Sequence, residues 1–117
     1  MSLNDSELKV LEVLWEYGDL TASQIYKILA EKVGWSRNTS YTIIKRCVEK
    51  GLIIRTEPNF ICTANITKKE AQKEGISDLI HRFFDNSTSA FMSAFVEDGS
   101  LSDEDIGELK DLINKLK

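Results

Sequence analysis

The amino-acid sequence predicts a mostly α-helical fold with one small β-hairpin. Apolar residues recur at three- and four-residue steps through several segments, which is the spacing of a buried helix face. Residues 52–63 instead combine two β-rich runs with a central turn, so one hairpin interrupts the helices. At 117 residues, the chain has room for one small domain and a short helical appendage.

Two helices open the chain. The first follows helix-capping residue types at positions 4–6 and ends at Gly18. Thr21, followed three residues later by Gln24, has the pattern of a capping box, in which two side chains satisfy free backbone N–H groups at a helix start. This second helix is expected to end at Gly34.

A third helix and the hairpin complete the N-terminal half. Ser36 is placed to cap the third helix, which extends to about Lys50. The hairpin then joins residues 52–55 to residues 60–63. The order helix, helix, helix, hairpin is that of a winged helix-turn-helix, in which the hairpin is the wing. We therefore assign residues 1–66 to a winged helix-turn-helix DNA-binding domain.

Residues 67–117 predict three further short helices, which we assign to a dimerisation domain. About fifty residues in short helices have little interior of their own, so we expect their apolar faces to bury against a second copy of the chain. The residues expected on this dimerisation surface are Leu79, Phe83, Phe84, Phe91, Phe95, Ile106, Leu109, Ile113 and Leu116. The alternative is that these faces pack back on the winged helix.

The formal net charge of −4 is unevenly distributed. Residues 1–67 carry equal numbers of basic and acidic residues, so the negative excess lies entirely in residues 68–117. Residues 36–55 hold five basic residues and one acidic residue. Since salt screens exposed charges beyond about 10 Å, this local balance matters more for binding nucleic acid than the total.

The third helix is the candidate recognition helix. Such a helix needs short polar side chains on its leading turns, an apolar opposite face, and cations for phosphates. The residues expected to reach base edges are Arg37, Asn38, Ser40 and Tyr41. Those better suited to the DNA backbone are Ser36, Thr39, Thr42, Lys45 and Arg46.

Other interpretations of the same pattern remain open. A basic helix face is often merely solvated, and some winged helices bind only proteins. The acidic C-terminal half slightly favours such a protein-interaction module. A third interpretation is a one-component sensor, with a ligand held between the winged helix and the C-terminal helices in a pocket lined by Phe60, Phe83 and Phe91.

The chain resembles the penicillinase and methicillin-resistance repressor family (BlaI/MecI type) over nearly its full length. The matching elements are Asp5-x-Glu7-Leu8-x-Val10-Leu11-x-Val13-Leu14-Trp15, Leu20-Thr21-Ala22, Trp35-Ser36-x-x-Thr39-x-x-Thr42 with Arg46 and Lys50-Gly51, Phe60-Ile61-x-Thr63, Phe95-Val96-Glu97, Leu101-Ser102 and Ile106-x-Glu108-Leu109. The resemblance implies a homodimeric repressor that binds a double-stranded DNA operator of two-fold symmetry. It also implies relief of repression through cleavage by a membrane sensor-protease.

Three sites depart from the family pattern. Asn38 stands where a Lys is usual, and Tyr41 where a smaller or amide residue is common, so the operator sequence cannot be carried over. The cleavage bond of the family joins Asn to Phe, whereas this chain has Ala94–Phe95 at that place. The wing is short and carries Glu57 at its tip, which would repel phosphate. Arg55 is therefore the expected wing-side cation.

The sequence argues against catalysis, cofactors, metal and membrane insertion. It contains a single His and two Cys, and it has no paired carboxylate site, phosphate-binding glycine loop or nucleophile–histidine arrangement. Cys47 and Cys62 are not at metal-ligand spacing. No apolar run reaches the roughly 18 residues of a membrane span, and no secretory signal opens the chain, so we expect a cytoplasmic protein.

Overall fold

The computed structural model describes residues 3–99 and 101–116, without the side chains of Ile113 and Leu116. Those two members of the expected dimerisation surface therefore lie outside the described side chains. In chain order the elements are α1 (Asp5–Tyr17), β1 (Leu20–Thr21), α2 (Ala22–Val33), α3 (Arg37–Glu49), β2 (Ile53–Thr56), β3 (Ile61–Ala64), α4 (Lys68–Phe84), α5 (Thr88–Asp98) and α6 (Asp103–Leu116). The prediction of a mostly α-helical fold with one small sheet is confirmed.

Reciprocal capping pairs begin α1 and α2. Asn4 Oδ1 accepts the Glu7 N–H at 2.9 Å, while Glu7 Oε1 accepts the Asn4 N–H at 3.1 Å. Thr21 and Gln24 form the same pair at the start of α2, as the sequence predicts. Each pair satisfies backbone donors that have no partner inside the helix, and so fixes where the helix begins.

Glycine ends α3 and turns the chain into the wing. Gly51 has φ +78°, in the left-handed region that favours glycine. This conformation lets the Leu52 N–H donate to the Cys47 carbonyl at 2.9 Å. The wing therefore leaves α3 at a fixed angle.

The sheet has three antiparallel strands in the order β1-β3-β2. In the wing, Arg55 pairs with Cys62 and Thr56 with Ile61. The short strand β1 adds to the other edge of β3, where Leu20 pairs with Cys62. The sequence predicts β2 and β3 but not β1, because two residues carry no recognisable alternation.

One apolar core holds the three N-terminal helices and the sheet together. Its buried members are Val10, Leu11, Val13, Leu14, Ala22, Ile25, Leu29, Ile43, Ile44, Cys47, Leu52, Ile53 and Cys62. The half-buried rings of Trp15 and Trp35 pack against this core. Trp15 also donates its indole N–H to the Ile66 carbonyl at 2.9 Å, which ties α1 to the segment after the wing.

The chain divides into two compact units, Met1–Gln72 and Lys73–Lys117. The division falls inside α4, a little beyond the domain boundary that the sequence predicts. The second unit has its own small cluster, in which Ile80 and Phe91 are buried. No helix in the described part of the chain is long and apolar enough to cross a membrane.

Candidate nucleic-acid interface

Helix α3 presents one apolar and one polar face. Ser40, Ile43, Ile44 and Cys47 are its buried residues, at the three- and four-residue steps of one face. The opposite face lies at the surface and carries the polar and basic side chains. This division results from the sequence pattern alone.

Most of the expected DNA-contacting residues are exposed. They are Ser36, Arg37, Asn38, Thr39, Thr42, Lys45 and Arg46 on or beside α3, and Arg55 on β2. Ser36 Oγ accepts the Thr39 N–H at 3.1 Å and donates to Thr39 Oγ1, also at 3.1 Å. By accepting the Thr39 N–H, the Ser36 hydroxyl caps α3. Its single proton is already donated to Thr39 Oγ1.

The expectation that Ser40 reaches a base edge is wrong in this structure. Its side chain is fully buried on the apolar face of α3. The position follows from helical spacing: Ser40 lies three and four residues before Ile43 and Ile44, which are core residues. Residue type alone suggested an exposed position, because serine is small and polar and is mostly found at protein surfaces.

Ser40→Ala should therefore leave stability unchanged or raise it by up to about 1 kcal/mol. Among the described residues, the buried Ser40 Oγ has no hydrogen-bond partner, so the substitution removes an unsatisfied polar atom. Urea unfolding measures the effect, and Thr42→Ala on the exposed face serves as the control. A loss of more than about 1 kcal/mol would mean that the hydroxyl has a partner which stabilises the fold.

Tyr41, also expected to reach a base edge, is only partly exposed and contacts the wing. Its ring is half-buried and meets the ring of Phe60 edge-on, with centroids 6.2 Å apart and an interplanar angle of 89°. We call this pair the aromatic bridge, because it joins α3 to the residue that precedes β3. Tyr41 is thus engaged by the wing instead of projecting freely toward a base.

An arginine lies on each ring of the aromatic bridge. The Arg37 guanidinium carbon is 4.7 Å from the Tyr41 ring centroid, and that of Arg55 is 3.6 Å from the Phe60 centroid. Arg55 Nε also donates to Glu57 Oε1 at the wing tip. One continuous set of contacts therefore links the leading turn of α3 to the wing.

An ion pair between a buried carboxylate and a partly exposed lysine holds the other end of α3. Lys50 Nζ donates to Glu7 Oε1 at 2.7 Å, and the Glu7 side chain is fully buried. Burial by itself raises the pKa of Glu7, but hydrogen bonds from Lys50 and the Asn4 backbone, together with the positive charges of Lys50 and Arg46, outweigh it and hold the pKa below its ordinary value. Sequence reasoning missed this pair, because charged residues on separate helices carry no local sign of contact.

The two cysteines are structural. Both Cys47 and Cys62 are buried. Burial raises the pKa of Cys47 to about 12 and that of Cys62 to about 11, so both remain protonated near neutral pH. Within residues 3–99 and 101–116, no group of His, Cys, Asp and Glu is arranged to hold a metal ion.

The second unit carries an apolar groove along α4 and α5. Its lining contains Leu79, Phe83, Phe84, Phe91, Ala94, Phe95 and Asp98. Phe91 is buried at the centre and meets Phe84 and Phe95 edge-on, at 5.6 and 4.9 Å. Phe83 and Leu79 are 70% and 39% exposed. Ile106 and Leu109, also expected on the dimerisation surface, are half-buried on α6.

Three helices, an antiparallel wing and an exposed polar face on α3 define a protein of the winged helix-turn-helix class. Comparison with known proteins narrows this class to one family. The family model described as "Penicillinase repressor" matches residues 3–115. The chain belongs to the penicillinase repressor family, which confirms the resemblance drawn from its sequence.

Two relatives match along nearly the whole chain. The chain is 26% identical over 117 residues to the penicillinase repressor of Bacillus licheniformis, with 98% of this chain and 91% of that protein covered. It is 24% identical over 115 residues to the methicillin resistance regulatory protein MecI of Staphylococcus aureus strain N315, with 97% and 94% covered. These relatives are a repressor and a regulatory protein, and the chain is not an enzyme.

Two solved structures share the fold of part of this chain. The solution structure of the DNA-binding domain of the repressor BlaI matches with a TM-score of 0.54 and 27% identity, over 59% of this chain and 87% of that chain. Monomeric BlaI of Bacillus licheniformis, in complex with the blaP half-operator, matches with a TM-score of 0.52 and 26% identity, over 60% and 88%.

Proposed function

We propose that this protein is a cytoplasmic transcriptional repressor that binds a two-fold symmetric DNA operator as a homodimer, with α3 in the major groove. The observation that carries the proposal is the exposed polar and basic face of α3, backed by an apolar face that docks on the core. The related BlaI domain in complex with a half-operator supports it.

The exposed side chains of α3 suggest a division of roles on the operator. Asn38 lies on the leading turn, where it can reach a base edge, and an amide pairs well with adenine. Lys45 and Arg46 lie further along the helix and suit phosphates. Each phosphate neutralised by a cation releases counterions, so affinity should fall steeply as salt is raised.

Arg46→Ala should weaken binding to every duplex by a similar factor, and it should reduce the slope of log affinity against log salt by about 1. Asn38→Ala should instead change which bases are preferred. The measurement is selection of duplexes from a random pool by the wild-type protein, followed by affinity titrations at several salt concentrations. Lys9→Ala, an exposed cation on α1, is the matched control. Unchanged affinity in Arg46→Ala would contradict this orientation of α3.

The groove of the second unit supports the homodimer. Leu79 and Phe83 lie one helical turn apart on α4, and both are exposed beside the buried Phe91. Exposed apolar side chains around a small core usually mark an association surface. The same surface on a second chain supplies the complement that two-fold symmetry requires.

Release of the operator by a membrane sensor-protease is the proposed control. The Ala94–Phe95 bond lies within α5, and Phe95 packs on Phe91 at 4.9 Å. Cleavage there would cut through the groove and so remove the surface proposed for pairing. A protease needs an extended strand, so α5 must open locally before it is cut. Incubation with the partner protease, followed by mass spectrometry, tests the site of cleavage.

The groove also favours a second candidate function, a ligand sensor. Its volume of about 470 Å³ and its aromatic lining are in the range of small-molecule sites. Phe83 and Phe91 line it as that interpretation expects, whereas Phe60 belongs to the aromatic bridge. A small apolar molecule that changes both the mass of the protein and its operator affinity would favour this function.

A further inference from the structure

We propose that the aromatic bridge is a positioning device for its two flanking arginines, which engage DNA phosphates as one unit. This inference rests on the proposed DNA-binding function. It gives Tyr41 a role other than reading a base, and it makes the wing and the recognition helix a single binding element.

The α3 side of the device is preorganised. Arg37 lies one helical turn before Tyr41, and its guanidinium is 4.7 Å from the ring centroid. The ring is half-buried against the core and cannot swing away without losing that packing. An arginine held over an aromatic ring keeps N–H donors available to phosphate oxygens. In Arg55 these are the terminal Nη groups, because its Nε donates to Glu57. Stacking therefore lowers the entropy lost when the arginine binds.

Three contacts hold Phe60 in place. Its carbonyl accepts the N–H of Ala22, the first residue of α2, at 3.0 Å. Its ring contacts both the Tyr41 ring and the Arg55 guanidinium. Its φ of +50° is in the left-handed region, which is unfavourable for a residue other than glycine. Such a backbone persists where its surroundings over-determine it, and this is often at a functional site.

The bridge thus relates two cations that are far apart in sequence. Arg37 belongs to the helix and Arg55 to the wing, yet the three successive separations are 4.7, 6.2 and 3.6 Å. Both guanidinium groups therefore lie well within one turn of DNA, roughly 34 Å, and can serve one half-site. If the bridge fixes their separation, the loss of one arginine should weaken the contribution of the other.

The test is a double-mutant cycle on a duplex selected from a random pool by the wild-type protein. We expect Arg37→Ala and Arg55→Ala each to lower affinity about 10-fold. The double variant should lose less than the product of the two, by at least about fivefold. In Tyr41→Leu the two losses should simply multiply, to within about twofold. Tyr41→Phe keeps the ring and should restore the coupling.

Two further variants keep the test decisive. Tyr26→Leu removes another half-buried tyrosine, outside the bridge, and should leave the coupling intact. If Tyr41→Leu does not fold, Phe60→Leu breaks the bridge from the wing side and should give the same result. Independent arginines in the wild-type protein, or coupling that survives loss of the bridge, would overturn this inference while leaving the repressor proposal standing. A wild-type protein that selects no duplex would overturn both.

Discussion

Lys50→Met should destabilise the protein by about 3–5 kcal/mol at neutral pH, a large share of the roughly 5–15 kcal/mol that stabilises a typical domain. The Glu7 side chain is fully buried, and Lys50 Nζ lies 2.7 Å from its carboxylate. Removal of the lysine leaves a buried charge without its counter-ion. Removal of the other charge, by Glu7→Gln, should lower the free energy of unfolding by less. The Lys50 side chain is 33% exposed and can turn toward water.

The pH dependence of stability should change sign in the same variant. In the wild-type protein the pKa of Glu7 lies below its ordinary value, so its contribution to stability is present above the pKa of the unfolded state and is lost as the pH falls through the folded-state pKa. Without Lys50, burial is the largest single influence that remains, and we expect it to raise the pKa of Glu7 above its ordinary value. The free-energy penalty of the buried, unpaired Glu7 charge is then relieved at low pH, because Glu7 becomes protonated and neutral.

Urea unfolding at pH 7 and pH 4 measures both effects. The difference in free energy of unfolding between Lys50→Met and the wild-type protein should shrink at pH 4. Lys9→Met, an exposed lysine on α1, is the matched control and should have little effect at either pH. Addition of Glu7→Gln should rescue Lys50→Met. An equal small loss in both lysine variants would mean that the ion pair does not brace α1 against α3.

The sequence predicts most of the fold because its signals are local. The capping pair Thr21 and Gln24 and the cap Ser36 each lie within one helical turn of the group they satisfy. The hairpin is predicted by two β-rich runs on either side of a turn. Strand β1 is not predicted, because its two residues form a strand only through their pairing with the distant strand β3.

The candidate site is less completely predicted, because parts of it depend on contacts between distant residues. Helical spacing correctly separates the exposed Asn38 from the buried Ile43 and Ile44. Strict use of the same spacing would have placed Ser40 inside. No local signal relates Tyr41 to Phe60, because that contact exists only after the wing has folded onto α3.

Phe83→Glu should convert the proposed dimer into a monomer. Truncation of a central apolar anchor typically costs about 2–4 kcal/mol, and a buried charge costs at least as much, so the dimer dissociation constant should rise by roughly 30- to 1,000-fold. Because Phe83 is 70% exposed within one chain, the substitution should leave the helical content and the unfolding of the N-terminal unit unchanged. Sedimentation equilibrium at micromolar concentration measures the mass.

DNA binding then distinguishes pairing from folding. A duplex with two half-sites gains from a paired protein, because the second recognition helix binds at a high effective concentration. Phe83→Glu should therefore lose affinity for the two-site duplex but keep wild-type affinity for a single half-site. Ser77→Glu, which adds the same single negative charge at an exposed position of α4 outside the groove lining, should remain paired. An unchanged mass for Phe83→Glu would mean that the groove faces something other than a second copy.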